Sequence, residues 1–378
     1  MSKIITNFAL QLKDKQENYK SDNMKKILFT LCLITLSIGM YAQQEDNYVV
    51  RCIAFYNLEN LFDTLHDEGK NDFEYLPDGG NHWTPLKYKS KLHNMAYAIS
   101  QFGLDKTSIG AVVVGVAEVE NLRCLQDLVK EPEIADRNYV PILLEGPDRR
   151  GVDVGLLYNP AYFTPVGKPI GYELKAHYAD GGVVRSRLQL LVSGYLKDDK
   201  GIVRDKIHVI VNHWPSRYGG EESSRATRDT AAMLCKHIAD SLYLKDPGAK
   251  IIIMGDLNDD PYNHSCADVL GARKDRDAVE PQGFFNTMWK TLDRGIGSLA
   301  YNGAWDLFDQ IIISGPLTHA ERSNSAWSYW QAEIFNKPFL TVQEGKDKGT
   351  PLRTHKSGVW QNGYSDHYPT MIYLVKQK

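Results

Sequence analysis

Apolar runs broken by short polar clusters recur along this chain at two periods. Val49 to Tyr56 reads as a strand, and Ala111 to Val116 as a fully apolar one. Val154 to Tyr158 is a further strand, stopped by Asn159-Pro160. Leu188, Leu190 and Val192 alternate as a half-buried strand does. Ile207 to Val211, Ile251 to Met254, Phe308 to Ile313 and Thr370 to Val375 complete the set. Helical spacing appears three times. Leu92, Met95, Ala96 and Ile99 share one face, and Leu122, Leu125, Leu128 and Val129 suggest a short helix. Ala231, Leu234, Cys235, Ile238 and Leu242 mark a longer amphipathic helix, with Ser223 or Ser224 as its N-cap. Strands outnumber helices after residue 150, and neighbours can pair antiparallel. The pattern predicts an α/β protein with two packed sheets and helices outside them. Segments 66–84 and 320–362 read as surface insertions, the second rich in Trp, Ser, Lys and Gly, of the kind that shape a cleft.

Charge and composition narrow this picture. With 378 residues, 43% of them hydrophobic, the chain can bury a full core. Six Lys and three acidic residues fall in 1–42, so 43–378 carries 38 basic against 44 acidic side chains. Such a body does not coat nucleic acid unspecifically, although a local basic groove stays open to it. Met24-Lys25-Lys26, the apolar stretch Ile27 to Met40 and the small residue Ala42 read as a secretory signal over 24–42. The stretch is short for a membrane span, and none is expected in the mature chain. Residues 1–23 then read as an upstream extension, and 43–378 as one domain, exported to the periplasm or the medium and expected to be a monomer. Cys52, Cys124, Cys235 and Cys266 show no CxxC spacing, which argues against zinc; three sit in apolar patterns, where buried free thiols are expected.

The polar clusters fall at strand ends. Gly255-Asp256-Leu257-Asn258-Asp259 follows the apolar run 251–254, and residues two apart in extended backbone point the same way, so Asp256 and Asn258 face one site. Asn57 follows the first strand, Glu118 the second, and His213 ends Val211-Asn212-His213-Trp214-Pro215. Asp309 opens the strand that starts Phe308-Asp309-Gln310, and Ser365-Asp366-His367 precedes the last. Singly, each has an ordinary reading: a turn cap, a solvated acid, a packing histidine. Their joint occurrence predicts convergence on a shared sheet edge, with hydrolytic chemistry.

The ordered set Asn57, Glu118, His213, Asp256-x-Asn258, Asp309 and Asp366-His367 resembles the endonuclease/exonuclease/phosphatase superfamily, over about residues 49 to 376. Ala117 departs from it, since many members carry Gln before the acidic residue. The resemblance implies a four-layer α/β sandwich with two central mixed or antiparallel sheets, and a single divalent-cation site at their edge. It implies Glu118 as the principal ligand with Asn57 beside it, for Mg²⁺ or else Mn²⁺ or Ca²⁺. By the same resemblance Asp256 orients or deprotonates the attacking water and Asn258 donates to the phosphate. His367 and Asp366 form a base-and-orienter pair. His213 stabilises the phosphoryl charge, and Asp309 holds His213 in its tautomer and raises its pKa.

A phosphate substrate needs positive charge. Arg149 before the strand Val154–Tyr158, Arg187 at the start of another, and Arg217 in Trp214-Pro215-Ser216-Arg217 are the substrate-binding candidates. The stretch from Asn212 through Arg225 and Arg228 resembles secreted bacterial nucleases, so nucleic acid is the expected partner, with Trp214 and the loop tryptophans either stacking on bases or packed in core and loops. Inositol-phosphate, sugar-phosphate or lipid-headgroup hydrolysis is the alternative. A non-catalytic surface binding protein is a third reading, disfavoured because every key position is filled.

Overall fold

The computed structural model describes residues 47–378 apart from 179 and 302. The expected leader at 24–42 and the extension at 1–23 lie outside the described residues. Its strands are β1 (Tyr48–Leu61), β2 (Ala111–Val119), β3 (Val140–Leu143), β4 (Asp153–Tyr158), β5 (Phe163–Pro165), β6 (Ile170–Tyr172), β7 (Gln189–Lys197), β8 (Val203–His213) and β9 (Lys250–Asp256). They continue with β10 (Ala272–Arg273), β11 (Phe284–Asn286), β12 (Leu299–Tyr301), β13 (Ala304–Asp306), β14 (Asp309–Ser314), β15 (Ser328–Ile334), β16 (His355–Lys356), β17 (Val359–Trp360) and β18 (Thr370–Gln377). One sheet has six strands in the order β15-β18-β1-β2-β4-β3. The other has eight, β10-β11-β14-β9-β8-β7-β5 with β6 also on β7. Both are mixed: β1 with β2 and β8 with β9 run parallel, while β2 with β4 and β9 with β14 run antiparallel.

The layers follow from which faces are apolar. β2 and β9 are apolar on both faces, as strands covered on two sides must be. Their inner faces meet where Gly115 of β2 makes room for Met254: a Cβ there would lie 2.5 Å from the Met254 sulfur. On the outer side of the eight-stranded sheet lies the helix Glu221–Tyr243, whose Ala231, Cys235, Ile238 and Leu242 pack on Ile210, Ile251 and Ile253. The helix Pro85–Ser100 starts at an N-cap Thr84 with Pro at its first turn and buries Leu92, Met95, Ala96 and Ile99. Each fully buried aliphatic side chain stabilises this arrangement by about 1.5–3 kcal/mol. Helices, sheet, sheet and helices make the four-layer α/β sandwich.

Two expectations are corrected, and for two tryptophans the structure chooses between the readings open to them. The helix Glu221–Tyr243 is capped by Gly220 rather than by Ser223 or Ser224, whose hydroxyls instead donate back to carbonyls of Gly219, Gly220 and Glu221. The segment 320–362 is not wholly an insertion, because β15 within it pairs with β18. Trp214 and Trp327 are core residues: the Trp214 indole donates to Asn212 Oδ1, and both are almost fully buried. Neither is free to stack on a base. Cys52, Cys124, Cys235 and Cys266 are free and buried. Among the described residues, no helix is long and apolar enough to cross a membrane.

Candidate active site

Register brings the polar strand ends together. In the eight-stranded sheet His213 of β8 sits opposite Asp256 of β9, and Asp256 sits opposite Asp309 of β14. Three neighbouring strands thus carry one functional side chain each, abreast. The approach of β8 to β9 needs Gly255, where a Cβ would lie 2.2 Å from the Asn212 carbonyl oxygen. In the other sheet Asn57 of β1 lies opposite Ala117 of β2. Glu118, one residue on, falls in a bulge and has left-handed backbone, φ 59°. A bulge re-aims a side chain, and here it turns Glu118 into the cleft. Asn258 takes a similar conformation, φ 51°, after the strand that carries Asp256. Such non-glycine positions cost about 1–3 kcal/mol each and persist where surrounding structure holds them.

The resulting cleft measures about 960 Å³ and is lined by Glu118, His213, Asp256, Asn258 and His367 among others. Asp256 is its hub. Its Oδ2 accepts from Asn57 Nδ2 at 3.0 Å and lies 3.5 Å from His213 Nε2 and 4.0 Å from His367 Nε2. Its Oδ1 accepts from the Asn258 backbone N–H at 3.0 Å. Asn258 Nδ2 in turn donates to the Trp214 carbonyl at 3.0 Å. Burial pushes the Asp256 carboxyl above the ordinary carboxylate range; His367 opposes this, and the charges of Asp309 and Glu118 add to it.

The two histidines differ in charge. Burial opposes a proton on His367, but the Asp309 carboxylate at 2.6 Å from Nδ1, with Asp366 and Asp256 behind it, holds its pKa well above the imidazole value. Burial, then the cations Arg187, Arg150 and His367, hold His213 well below it. The site therefore presents one imidazolium and one neutral imidazole.

This overturns one predicted pairing. Asp309 does not hold His213; it holds His367 and accepts a second bond from Ser298 Oγ at 2.5 Å. The pair spans the two sheets, and the His213 Nδ1 is left buried without a partner among the described residues. Asp366 is not the close orienter of His367 either. Its nearest approach to His367 Nε2 is 3.8 Å, and it accepts instead from Arg353 at 2.8 Å. Asn57 bridges rather than faces the cleft, since its Oδ1 accepts from the Glu59 backbone N–H at 2.9 Å while its nitrogen serves Asp256.

Among the arginine candidates, Arg149 and Arg187 line the cleft. Arg187 is buried, donates to the Trp214 carbonyl at 2.8 Å and lies 3.3 Å from Asp148. Arg217 is corrected. It lies outside the cleft lining, with its guanidinium on the Asn258 carbonyl, Asn263, Asp259, Asp260 and Glu221 and over the Phe308 ring.

Several supporting residues escaped the sequence reading. Glu59 is buried near the end of β1 and accepts from the Thr354 N–H and from Arg353, which holds Asp366. Lys91 is buried and donates to Thr354 Oγ1 and the Tyr364 carbonyl. Glu59 stands two residues after Asn57 in Asn57-Leu58-Glu59-Asn60, so an acid beside Asn57 is the available signal; nothing local marks Lys91, which sits on a helix that reads as amphipathic.

The donor set fits a hard divalent cation. Glu118 Oε2 accepts from the Asn60 N–H at 3.0 Å, while Oε1 faces the cleft with His213 Nε2 3.9 Å away. Asp256, Asp309 and His367 bring ligand-type atoms within 4.8 Å of one another, and Asp309 Oδ1 is buried without a partner. Oxygen-rich, anionic surroundings suit such ions.

The chain is similar to several solved structures. An endonuclease/exonuclease/phosphatase family protein from Bacteroides thetaiotaomicron shares 13% identity at a TM-score of 0.48, covering 88% of this chain and 99% of that one. A mannosyl-6-phosphatase from the same organism shares 14% at 0.46, covering 86% and 99%. TDP2 from D. rerio, complexed with a single-strand DNA product, shares 14% at 0.49, covering 86% and 98%. No curated protein matches the sequence. The sequence model of the Endonuclease/Exonuclease/phosphatase family, however, matches residues 52–376, nearly all of the described chain, and the protein belongs to that family.

Proposed function

We propose that this protein is an exported, Mg²⁺-dependent phosphodiesterase acting on nucleic acid. The observation that carries the reading is the convergence of Glu118, His213, Asp256 and the Asp309–His367 pair in a single arginine-walled cleft.

Distances divide the roles. Asp256 Oδ2 and His367 Nε2 are only 4.0 Å apart, so they serve the same side of a phosphorus atom. An in-line displacement has its attacking and leaving oxygens on opposite sides. Both residues therefore attend the attacking water. Asp256, a carboxylate made more basic by burial, takes the water proton. The His367 imidazolium, fixed by Asp309, keeps Asp256 ionised and places positive charge beside the phosphoryl oxygens. His213, neutral, contributes a ring N–H to a non-bridging oxygen, and Asn258 shapes the turn that holds Asp256, its backbone N–H donating to Asp256 Oδ1. The P–O bond to water forms as the ester P–O bond breaks. A cation held by Glu118 would supply charge neutralisation at the phosphate and at the departing oxygen.

The test is a substrate panel with the exported form in the presence of Mg²⁺: plasmid DNA, inositol phosphates and sphingomyelin. Nucleic acid should turn over and the others lag. His367→Ala should lower kcat by orders of magnitude with melting temperature little changed, and Glu118→Gln should weaken the Mg²⁺ isotherm in calorimetry. Turnover of inositol phosphates alone would move the protein to the phosphatase reading. Absence of both turnover and metal uptake would remove the enzymatic reading.

A further inference from the structure

One wall of the cleft lies beyond the residues assigned to chemistry. Arg149, Arg185, Ser186 and Arg187 line it together, next to the exposed Tyr218. Three observations single this wall out. The guanidinium groups of Arg149 and Arg185 carry no ion pair or hydrogen bond among the described residues. Ser186 Oγ and Arg187 Nε are buried polar atoms without partners, on side chains that are themselves more than nine-tenths buried. Tyr218 is 87% exposed and packs on no other ring among the described residues, directly before the pair Gly219-Gly220. Unpaired cations are common at a surface. Buried donors without acceptors are not, because an unmet buried group costs free energy that a bound acceptor removes.

Acceptor-only oxygens carrying negative charge would satisfy this wall, and a phosphate group supplies them. The scissile phosphate belongs between Glu118, Asp256 and His213, so the anion on this wall is another one. Carboxylates set a limit on its strength. Asp148 already engages Arg187 and Arg150, and Asp180, also in the lining, is tied to the Gly182 N–H.

Resting on the nuclease reading above, we infer that Arg149, Arg185, Ser186 and Arg187 form a subsite for the phosphate flanking the scissile one in a single-stranded nucleic acid, with Tyr218 stacking on the adjoining base. A single strand is favoured over a duplex because an exposed ring can stack only on a base whose face is free. A substrate with one phosphate leaves the subsite empty.

The experiment compares three probes in Mg²⁺: bis(p-nitrophenyl) phosphate, which has one phosphate, a single-stranded 12-residue oligodeoxynucleotide, and its duplex. Binding of the labelled single strand is also followed by anisotropy in EDTA, where no turnover occurs. The wild type should prefer single strand to duplex. The double variant Arg185→Ala/Tyr218→Ala should lose at least roughly tenfold more on the oligonucleotide than on the one-phosphate probe, through KM, with anisotropy affinity falling in parallel. Arg185→Ala should flatten the slope of log affinity against log salt by about 0.7. Arg225→Ala, an exposed arginine paired with Glu222 outside the lining, should change neither substrate. Asp180→Asn should tighten the strand. Equal losses on both probes, an unchanged salt slope, or a duplex preference would overturn the subsite while leaving the phosphodiesterase reading in place. Absence of turnover on all three would overturn both.

Discussion

Two groups of arginines flank the loop that carries Asp256 and Asn258, and they do opposite things. Arg217 and Arg228 are knotted into carboxylates. Arg228 is fully buried, with Nε 2.7 Å from Asp259, Nη1 on Ser224 and Nη2 on the Glu221 carbonyl. Arg217 adds Asp260 and the Asn258 carbonyl to the same knot. Across the cleft Arg149 and Arg185 hold no acidic partner among the described residues. Arg217 lies close after the strand end at His213, while Arg149 and Arg185 are remote in sequence from every catalytic strand end. Their roles are decided by what the fold has already placed against each guanidinium: a buried carboxylate makes the arginine structural, and an open cleft makes it a reader of anions.

The largest test of this contrast is Arg228→Met. It leaves Asp259 with Arg217 alone, 3.4 Å away, and removing the closer partner of a buried pair should cost about 3–5 kcal/mol, seen as a lower urea midpoint. Stability within error of wild type would show that the knot is not structural. Arg217→Ala should cost less, about 1–3 kcal/mol, since Asp259 keeps Arg228. It should lower kcat more than it raises KM, because Asn258 loses its carbonyl anchor. A raised KM with an unaltered melting curve would place Arg217 among the phosphate binders after all. Arg149→Ala, on the other wall, should leave stability within about 0.5 kcal/mol and act on KM for the oligonucleotide alone.

The smallest effect is one of pH. Burial pushes Asp260 up to about 6 from its ordinary 3.8, with Arg217 opposing. A carboxyl raised in the folded state binds more protons there than in the unfolded chain between those two values. Its contribution is complete below 3.8 and lost as pH rises through about 6. Asp260→Asn removes this titration, so its stability relative to wild type should improve between pH 4 and pH 7 in thermal melts. A constant difference would mean that Arg217 keeps Asp260 ionised throughout.

Much of the site is legible from local signals. An apolar run ending in Gly-Asp-x-Asn or preceded by Ser-Asp-His places a carboxylate or imidazole at a strand end whatever the sheet order. Layering is legible for the same reason, since strands apolar on both faces must be covered twice. Partner choice is not. Asp309 opens β14 of one sheet and His367 precedes β18 of the other, so their 2.6 Å contact depends on how two sheets pack, which no spacing along the chain records. The same holds for Arg217. Its sequence neighbours advertise His213, while its hydrogen-bonded partners other than Glu221 lie 41 to 46 positions away, from Asn258 to Asn263. The cap of the long helix failed on a finer scale. Gly220, with φ 111°, already ends the loop there, and the serines one turn on satisfy carbonyls rather than amides.

His213, Asp256 and Asp309 stand abreast on β8, β9 and β14, each in ladder register with the next. Side chains alternate along a strand, so a slip of β9 by a single residue would swing Asp256 to the opposite face and expose Leu257 or Gly255 in its place. What prevents the slip is remote from any phosphate: Met254 seated against Gly115, with Ile252 buried on the same face, and Ile251 and Ile253 packed under the long helix on the other. Enlarging Gly115 should therefore read out as lost turnover in a protein that still folds, an injury to catalysis inflicted from the far side of the sandwich.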